Sequence, residues 1–156
     1  MKKLLTLFIL TGTLWACNHQ QPTENKTMPA DPEKNELREG ASPEKLVLNN
    51  GRKWKVDAST DNNVKHLQEI LEEFTTRNAQ PLPAYKKLQE DLEQGINKMI
   101  SECKMTGPDH EALHKWLEPL IAQVGHLKGV QTAGEAASAF KAIDNQANIY
   151  NQYFEL

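Results

Sequence analysis

Between Thr60 and Phe154 the apolar side chains fall into four runs of helical spacing, with Pro, Gly and Asn punctuating the gaps. This limits the fold more than any other feature of the chain, because a 3.6-residue repeat lines up one side of a helix and leaves a strand with its faces mixed. The first run, roughly Thr60 to Arg77, aligns Val64, Leu67, Leu71 and Phe74, with Ile70 beside them. The second starts near Pro83, a residue suited to a first turn, and carries Tyr85, Leu88, Leu92, Ile96 and Met99 towards Cys103. The third follows Thr106-Gly107-Pro108-Asp109, which reads as a capping box, and continues through Leu113, Leu117, Leu120 and Val124. Pro119 lies inside it and predicts a kink or an early end. The fourth opens with a second capping box, Thr132-Ala133-Gly134-Glu135, and runs through Ala136, Phe140, Ile143, Ala147 and Tyr150 to Phe154. None of the four is apolar all round, and the turns near 78–82, 104–107 and 125–131 are short. The expected fold is therefore all-α, an antiparallel four-helix bundle.

A short β-hairpin is expected before the helices. Leu46-Val47-Leu48 and Trp54-Lys55-Val56 flank Asn49-Asn50-Gly51-Arg52, and Asn-Gly between alternating segments favours a tight two-strand turn. Two strands alone are marginal in water, so Trp54 and Val56 are expected to pack on the bundle.

The N-terminal part reads differently. Lys2 and Lys3 precede an apolar stretch from Leu4 to Leu14, too short for a stable membrane span, and Leu14-Trp15-Ala16 precedes Cys17. This arrangement resembles the lipobox of bacterial lipoproteins. The resemblance implies a signal peptide over 1–16, lipidation of Cys17 and attachment to a membrane through acyl chains. Asn18 follows Cys17 in place of the Asp that retains such lipoproteins at the inner membrane, which implies an outer-membrane location facing the periplasm. Residues 18–43 contain Pro22, Pro29, Pro32 and Pro43, with only Met28 and Leu37 as sizeable apolar side chains. Such a stretch buries too little apolar surface to offset its chain entropy, so 17–43 is expected to be a lipidated Cys and flexible tether, with the folded domain over 44–156. Loss of Lys2 and Lys3 takes the net charge from −3 to −5, and with no basic run nucleic acid is not an expected partner. The expected partners are the membrane, through Cys17, and an envelope protein.

The chemistry concentrates between Cys103 and Trp116, in CKMTGPDHEALHKW. The thiol of Cys103, the thioether of Met105 and the imidazoles of His110 and His114 are ligand types that suit Cu(I) and Zn(II). Met99 and Cys103 share the core stripe of the second helix, and His110 and His114, four apart, share one face of the third. Up-down topology then gathers all four at one end of the bundle, with His66 as a reserve ligand and Tyr150 and Tyr153 nearby. If Cys17 is lipidated, Cys103 is the only thiol left in an exported chain, where spare thiols tend to be oxidised unless buried, paired or ligated. A ligand set that includes Met105 favours copper, because thioether ligation of zinc is unusual. The competing structural reading makes Cys103 a buried core residue and both histidines polar residues near a helix start.

His110-Glu111-Ala112-Leu113-His114 also matches H-E-x-x-H, in which two histidines bind zinc and Glu111 acts as general base. The extended metzincin pattern fails at Leu117 and Leu120, and a third ligand would have to be recruited from elsewhere. Glu135 is the candidate, but up-down topology puts the start of the fourth helix at the far end of the bundle, which counts against the hydrolase. Haem attachment lacks its C-x-x-C-H signal.

The arrangement C-x-M-x-G-x-x-H-x-x-x-H-x-W-L, with L-N-N-G-x-K-W-K-V upstream, resembles a group of small bacterial lipoproteins without an established activity. It rests on Cys103, Met105, Gly107, His110, His114, Trp116 and Leu117, and implies a lipid-anchored helical domain. The expected function is an envelope lipoprotein that binds copper, or else zinc, for buffering, delivery or sensing. The alternatives are a non-catalytic interaction module of the envelope and a zinc hydrolase.

Overall fold

The computed structural model describes residues 45–77 and 80–156. The signal peptide, Cys17 and the tether expected from the sequence lie outside these residues. Four long helices follow one another: α1 (Ala58–Thr75), α2 (Leu82–Glu102), α3 (Pro108–Gly129) and α4 (Ala133–Asn148). A single helical turn, α5 (Tyr150–Tyr153), closes the helical part, and β1 (Trp54–Lys55) pairs with β2 (Phe154–Glu155). Short connections force sequential helices to run up and down. Long-range bonds fit that arrangement: Asn63 near the start of α1 reaches Glu102 at the end of α2, and Lys86 near the start of α2 reaches the end of α3. The bundle is thus as expected. Among the described residues, no helix is long and apolar enough to cross a membrane.

The core is built from the stripes visible in the sequence. Val64, Leu67, Leu71, Phe74, Leu88, Leu92, Met99, Leu113, Leu120 and Ile143 are all buried, and Trp116 is completely so. Each such side chain contributes roughly 1.5–3 kcal/mol over its exposed state, and these summed stripes hold the helices together. Trp116 and Gln146 fasten α3 to α4 reciprocally: each side chain donates to the other residue's carbonyl, both at 2.8 Å. Gly95 lets α2 approach α1, since a methyl group there would stand 2.6 Å from Leu67 Cδ2.

Three local expectations change. The Asn49–Arg52 turn forms, with reciprocal backbone bonds of 2.8 and 3.0 Å and positive φ at Asn50 and Gly51. It does not continue into a two-stranded hairpin. Trp54 and Lys55 pair instead, in parallel, with Phe154 and Glu155. The physical reason is burial: Phe154 is buried and stacks on Tyr150, with ring centroids 4.9 Å apart, which brings its backbone alongside β1. Trp54 turns its indole N–H to the Val47 carbonyl at 2.7 Å. The fourth helix correspondingly ends at Asn148 and not at Phe154. Pro119 does not end α3, which runs on to Gly129.

Candidate metal centre

The stretch Cys103 to His114 is carried by the end of α2, a short turn and the first turns of α3. Cys103 is the C-cap of α2; its N–H donates to Met99 O at 3.0 Å while its own backbone is already extended. At Gly107 the backbone takes φ 72, a conformation that disfavours any side chain, and Pro108 opens α3 with φ preset for a helix. Thr106 does not cap the helix, contrary to the capping-box reading; Gly107 is the N-cap and makes no side-chain cap bond. The positive φ at Gly107 starts the helix one residue late, and Asp109 is drawn elsewhere, its Oδ1 accepting the Lys55 N–H at 3.0 Å.

Cys103 and Met105 are half-buried and pack against the core, which leaves part of each sulfur-bearing side chain open to solvent. Cys103 is a free thiol. His110 is half-buried and His114 exposed, because Ala112, Leu113 and Trp116 take the inner face of α3 and fix the helix's rotation. The two rings meet edge to face, with centroids 4.4 Å apart and planes at 67°. An ion bonded at about 2.0–2.1 Å to one nitrogen of each ring would, at a tetrahedral angle, hold the centroids about 5 Å apart. The observed separation is close to that value, and shared binding would require the rings to turn out of their edge-to-face contact so that one nitrogen of each points at the ion. Among the described residues, no three His, Cys, Asp or Glu side chains already stand grouped to hold a metal.

His66 is displaced from this end, and Glu135 stands at the far end as expected. His66 lies in the middle of α1, exposed, with Glu69 Oε2 3.7 Å from its Nδ1, and it borders a shallow groove shared with Asp91 and Lys98 of α2. Its place follows from α1 starting at Ala58, which puts His66 more than two turns into the helix. Glu135 stands in the first turn of α4, at the opposite end from the start of α3, and the 22 residues of α3 span roughly 30 Å. Its carboxylate accepts the N–H groups of Gln131 and Thr132, bonds that hold its pKa below the ordinary range. Glu135 is thus a capping residue, and the H-E-x-x-H reading loses the third ligand proposed for it. Glu111 is exposed on the first turn of α3.

A residue absent from the sequence reading shapes this end most. Asp57 is the N-cap of α1: Oδ1 accepts from Thr60 N at 2.6 Å and Ser59 Oγ at 2.8 Å, while Oδ2 accepts from Lys104 N at 3.1 Å. Partial burial works to raise its pKa, but the donations from Thr60, Ser59 and Lys104 bring it down to about 2. The signal for the cap was present in Asp57-Ala58-Ser59-Thr60 ahead of an apolar-periodic run; the bond to Lys104 had no local signal. Beside it, Tyr150 donates to Asp61 Oδ1 at 3.4 Å within the core, and burial followed by the Asp61 charge raises the phenol's pKa. The other oxygen of Asp61 forms an ion pair with Lys65 at 2.7 Å, outside hydrogen-bond geometry. Comparison with protein-family models, curated proteins and solved structures finds no match for this chain.

Proposed function

We propose that this domain binds a soft metal ion, Cu(I) in preference to Zn(II), as the folded part of an envelope lipoprotein anchored through Cys17. The ligands are the Cys103 thiolate, the Met105 thioether and one nitrogen from each of His110 and His114. The reading rests chiefly on the imidazole pair, whose centroids lie 4.4 Å apart directly after a turn bearing a half-buried thiol and thioether. Sulfur donors favour a monovalent soft ion, and the imidazoles are acceptable to it. The half-buried setting of Cys103 suits exchange, since the residue is not sealed within the core. Buffering, delivery or sensing is the role that suits a partly exposed site at the end of a bundle. The leader from Lys2 to Ala16 and the proline-bearing tether support the anchor.

The test is a titration of residues 44–156, reduced, with Cu(I) and Zn(II) against a competing chelator. Submicromolar Cu(I) binding is expected, weakened in Cys103→Ser and in His114→Ala. A reduced wild-type domain that takes up neither ion defeats the metal reading and leaves the interaction-module alternative. Anchoring is tested separately by metabolic labelling with a radioactive fatty acid, expected to disappear in Cys17→Ser.

A further inference from the structure

We infer that Asp57 is a positioning residue for this site: its carboxylate holds the turn that carries Cys103 and Met105 in place through the Lys104 backbone N–H. The inference rests on the metal reading for its consequence, and on five contacts for its geometry. Oδ2 of Asp57 accepts from Lys104 N at 3.1 Å, midway between the two sulfur-bearing residues. Its Oδ1 is meanwhile fixed by Thr60 N and Ser59 Oγ, so the carboxylate cannot follow the turn if it moves. Ser59 Oγ also donates to Glu102 O at 3.1 Å, and Asn63 Nδ2 to the Glu102 carboxylate at 2.8 Å. The start of α1 thus grips the turn at the residue before Cys103 and the residue after it.

A two-sulfur segment between fixed points loses less chain entropy on closing over an ion than a free loop does. Groups that orient ligands without touching the metal typically change affinity by about 10–100-fold. Asp57 stands in that relation to Cys103 and Met105. Asp109 plays a similar part on the other side of the turn, accepting the Lys55 N–H, and links the turn's exit to β1.

Asp57→Asn separates this role from helix capping, because Asn caps about as well as Asp but turns one of the two acceptor oxygens into a donor. The variant and the wild type are compared by Cu(I) competition with a chromogenic chelator, by the rate at which Cys103 reacts with a thiol reagent in the metal-free protein, and by hydrogen exchange of the Lys104 amide. Asp57→Asn is expected to stay folded, bind Cu(I) at least about tenfold more weakly, exchange the Lys104 amide faster and alter the thiol rate. Thr132→Ala, which loosens a helix start at the other end, is the control and should leave all three unchanged. Equal Cu(I) affinity, thiol rate and Lys104 exchange in wild type and Asp57→Asn overturn the inference. If the wild type binds no copper, the metal reading falls, while the exchange and thiol rates still decide whether Asp57 holds the turn.

Discussion

The two ends of the bundle are built by different means. At the end where α1 finishes and α4 begins, the ties are largely between neighbours along the chain. Thr132 and Glu135 form a reciprocal capping box, Gln80 bonds the Phe74 carbonyl and the Tyr85 hydroxyl, and Arg77 lies over the Phe74 ring. The longest hydrogen-bond reach there is Lys86, whose ammonium caps α3 by bonding the carbonyls of Lys128 and Val130. At the candidate metal centre, bonds join segments far apart in sequence: Asp57 to Lys104, Lys55 to Asp109, Lys53 to Asn151, and β1 to β2. Each end has its own trio of packed rings, Phe74 with Tyr85 and Phe140 at one, and Trp116 with Tyr150 and Phe154 at the other. A locally capped end can fray and reform helix by helix, whereas the cross-linked end must move as a whole. The difference makes the first end a set of local caps and the second a set of ties between distant segments, around the turn where a metal site is proposed.

The strongest challenge to that contrast is a pair of core truncations. Phe74→Ala and Trp116→Ala each delete a buried ring and should cost about 3–5 kcal/mol, read from urea unfolding midpoints. Only Trp116→Ala is expected to change the reactivity of the Cys103 thiol in the folded protein. Equal disturbance by Phe74→Ala would mean that the ends are not separable.

Between the ends, Gly95→Ala places a methyl group 2.6 Å from Leu67 Cδ2. Overpacking of about 1–3 kcal/mol outweighs the helix-propensity gain of about 0.5–1 kcal/mol, so net destabilisation is expected in thermal melts. A rise in melting temperature would show that α1 and α2 adjust freely, and with them the start of α1 that holds Glu102 and Lys104.

Acid should act on the cross-linked end. Asp57 is held at about 2 in the fold, below its ordinary value, so its contribution is fully present above about pH 4 and is lost as pH falls through about 2. Unfolding midpoints measured from pH 5 down to 2 should fall more steeply in the wild type than in Asp57→Asn. Parallel curves would place the acid sensitivity elsewhere.

Smaller effects belong to the capped end. Thr132→Ala should cost about 1 kcal/mol in chemical denaturation, the usual loss for an N-cap oxygen. Lys86→Met should cost about 0.3–1 kcal/mol, the usual worth of a cation at a helix C-terminus, with faster amide exchange confined to the last turns of α3. Neither should alter Cys103 or copper affinity, and a change in either would weaken the division.

The helices were legible because a helix advertises itself every three or four residues: Leu67, Leu71, Leu92, Leu113, Leu120 and Ile143 are buried where the periodicity put them. The Asn50-Gly51 turn was legible for a similar reason, since both central residues accept positive φ. The partner of β1 was not, because a pairing of two residues with two others about a hundred positions away leaves no periodic trace. The ligand types at the candidate centre were visible, as was the meeting of His110 and His114, which helix geometry alone dictates. The grip of Asp57 on Lys104 was invisible, since it depends on how α1 and α2 come together. Thr106 misled because Gly107, the next residue, reset the backbone before a cap could form.

The pairing of β1 with β2 also sets an order of events. Trp54 and Lys55 find their partners only when Phe154 and Glu155 exist, so during synthesis β1 stays unpaired until all four helices have emerged. Until then Phe154 is not there to stack on Tyr150, and the Lys55 side chain lacks both the Glu155 carboxylate and the Leu156 carbonyl. The Lys55 segment, whose backbone N–H donates to Asp109 at the start of α3, is therefore among the last parts of the domain to reach its final form.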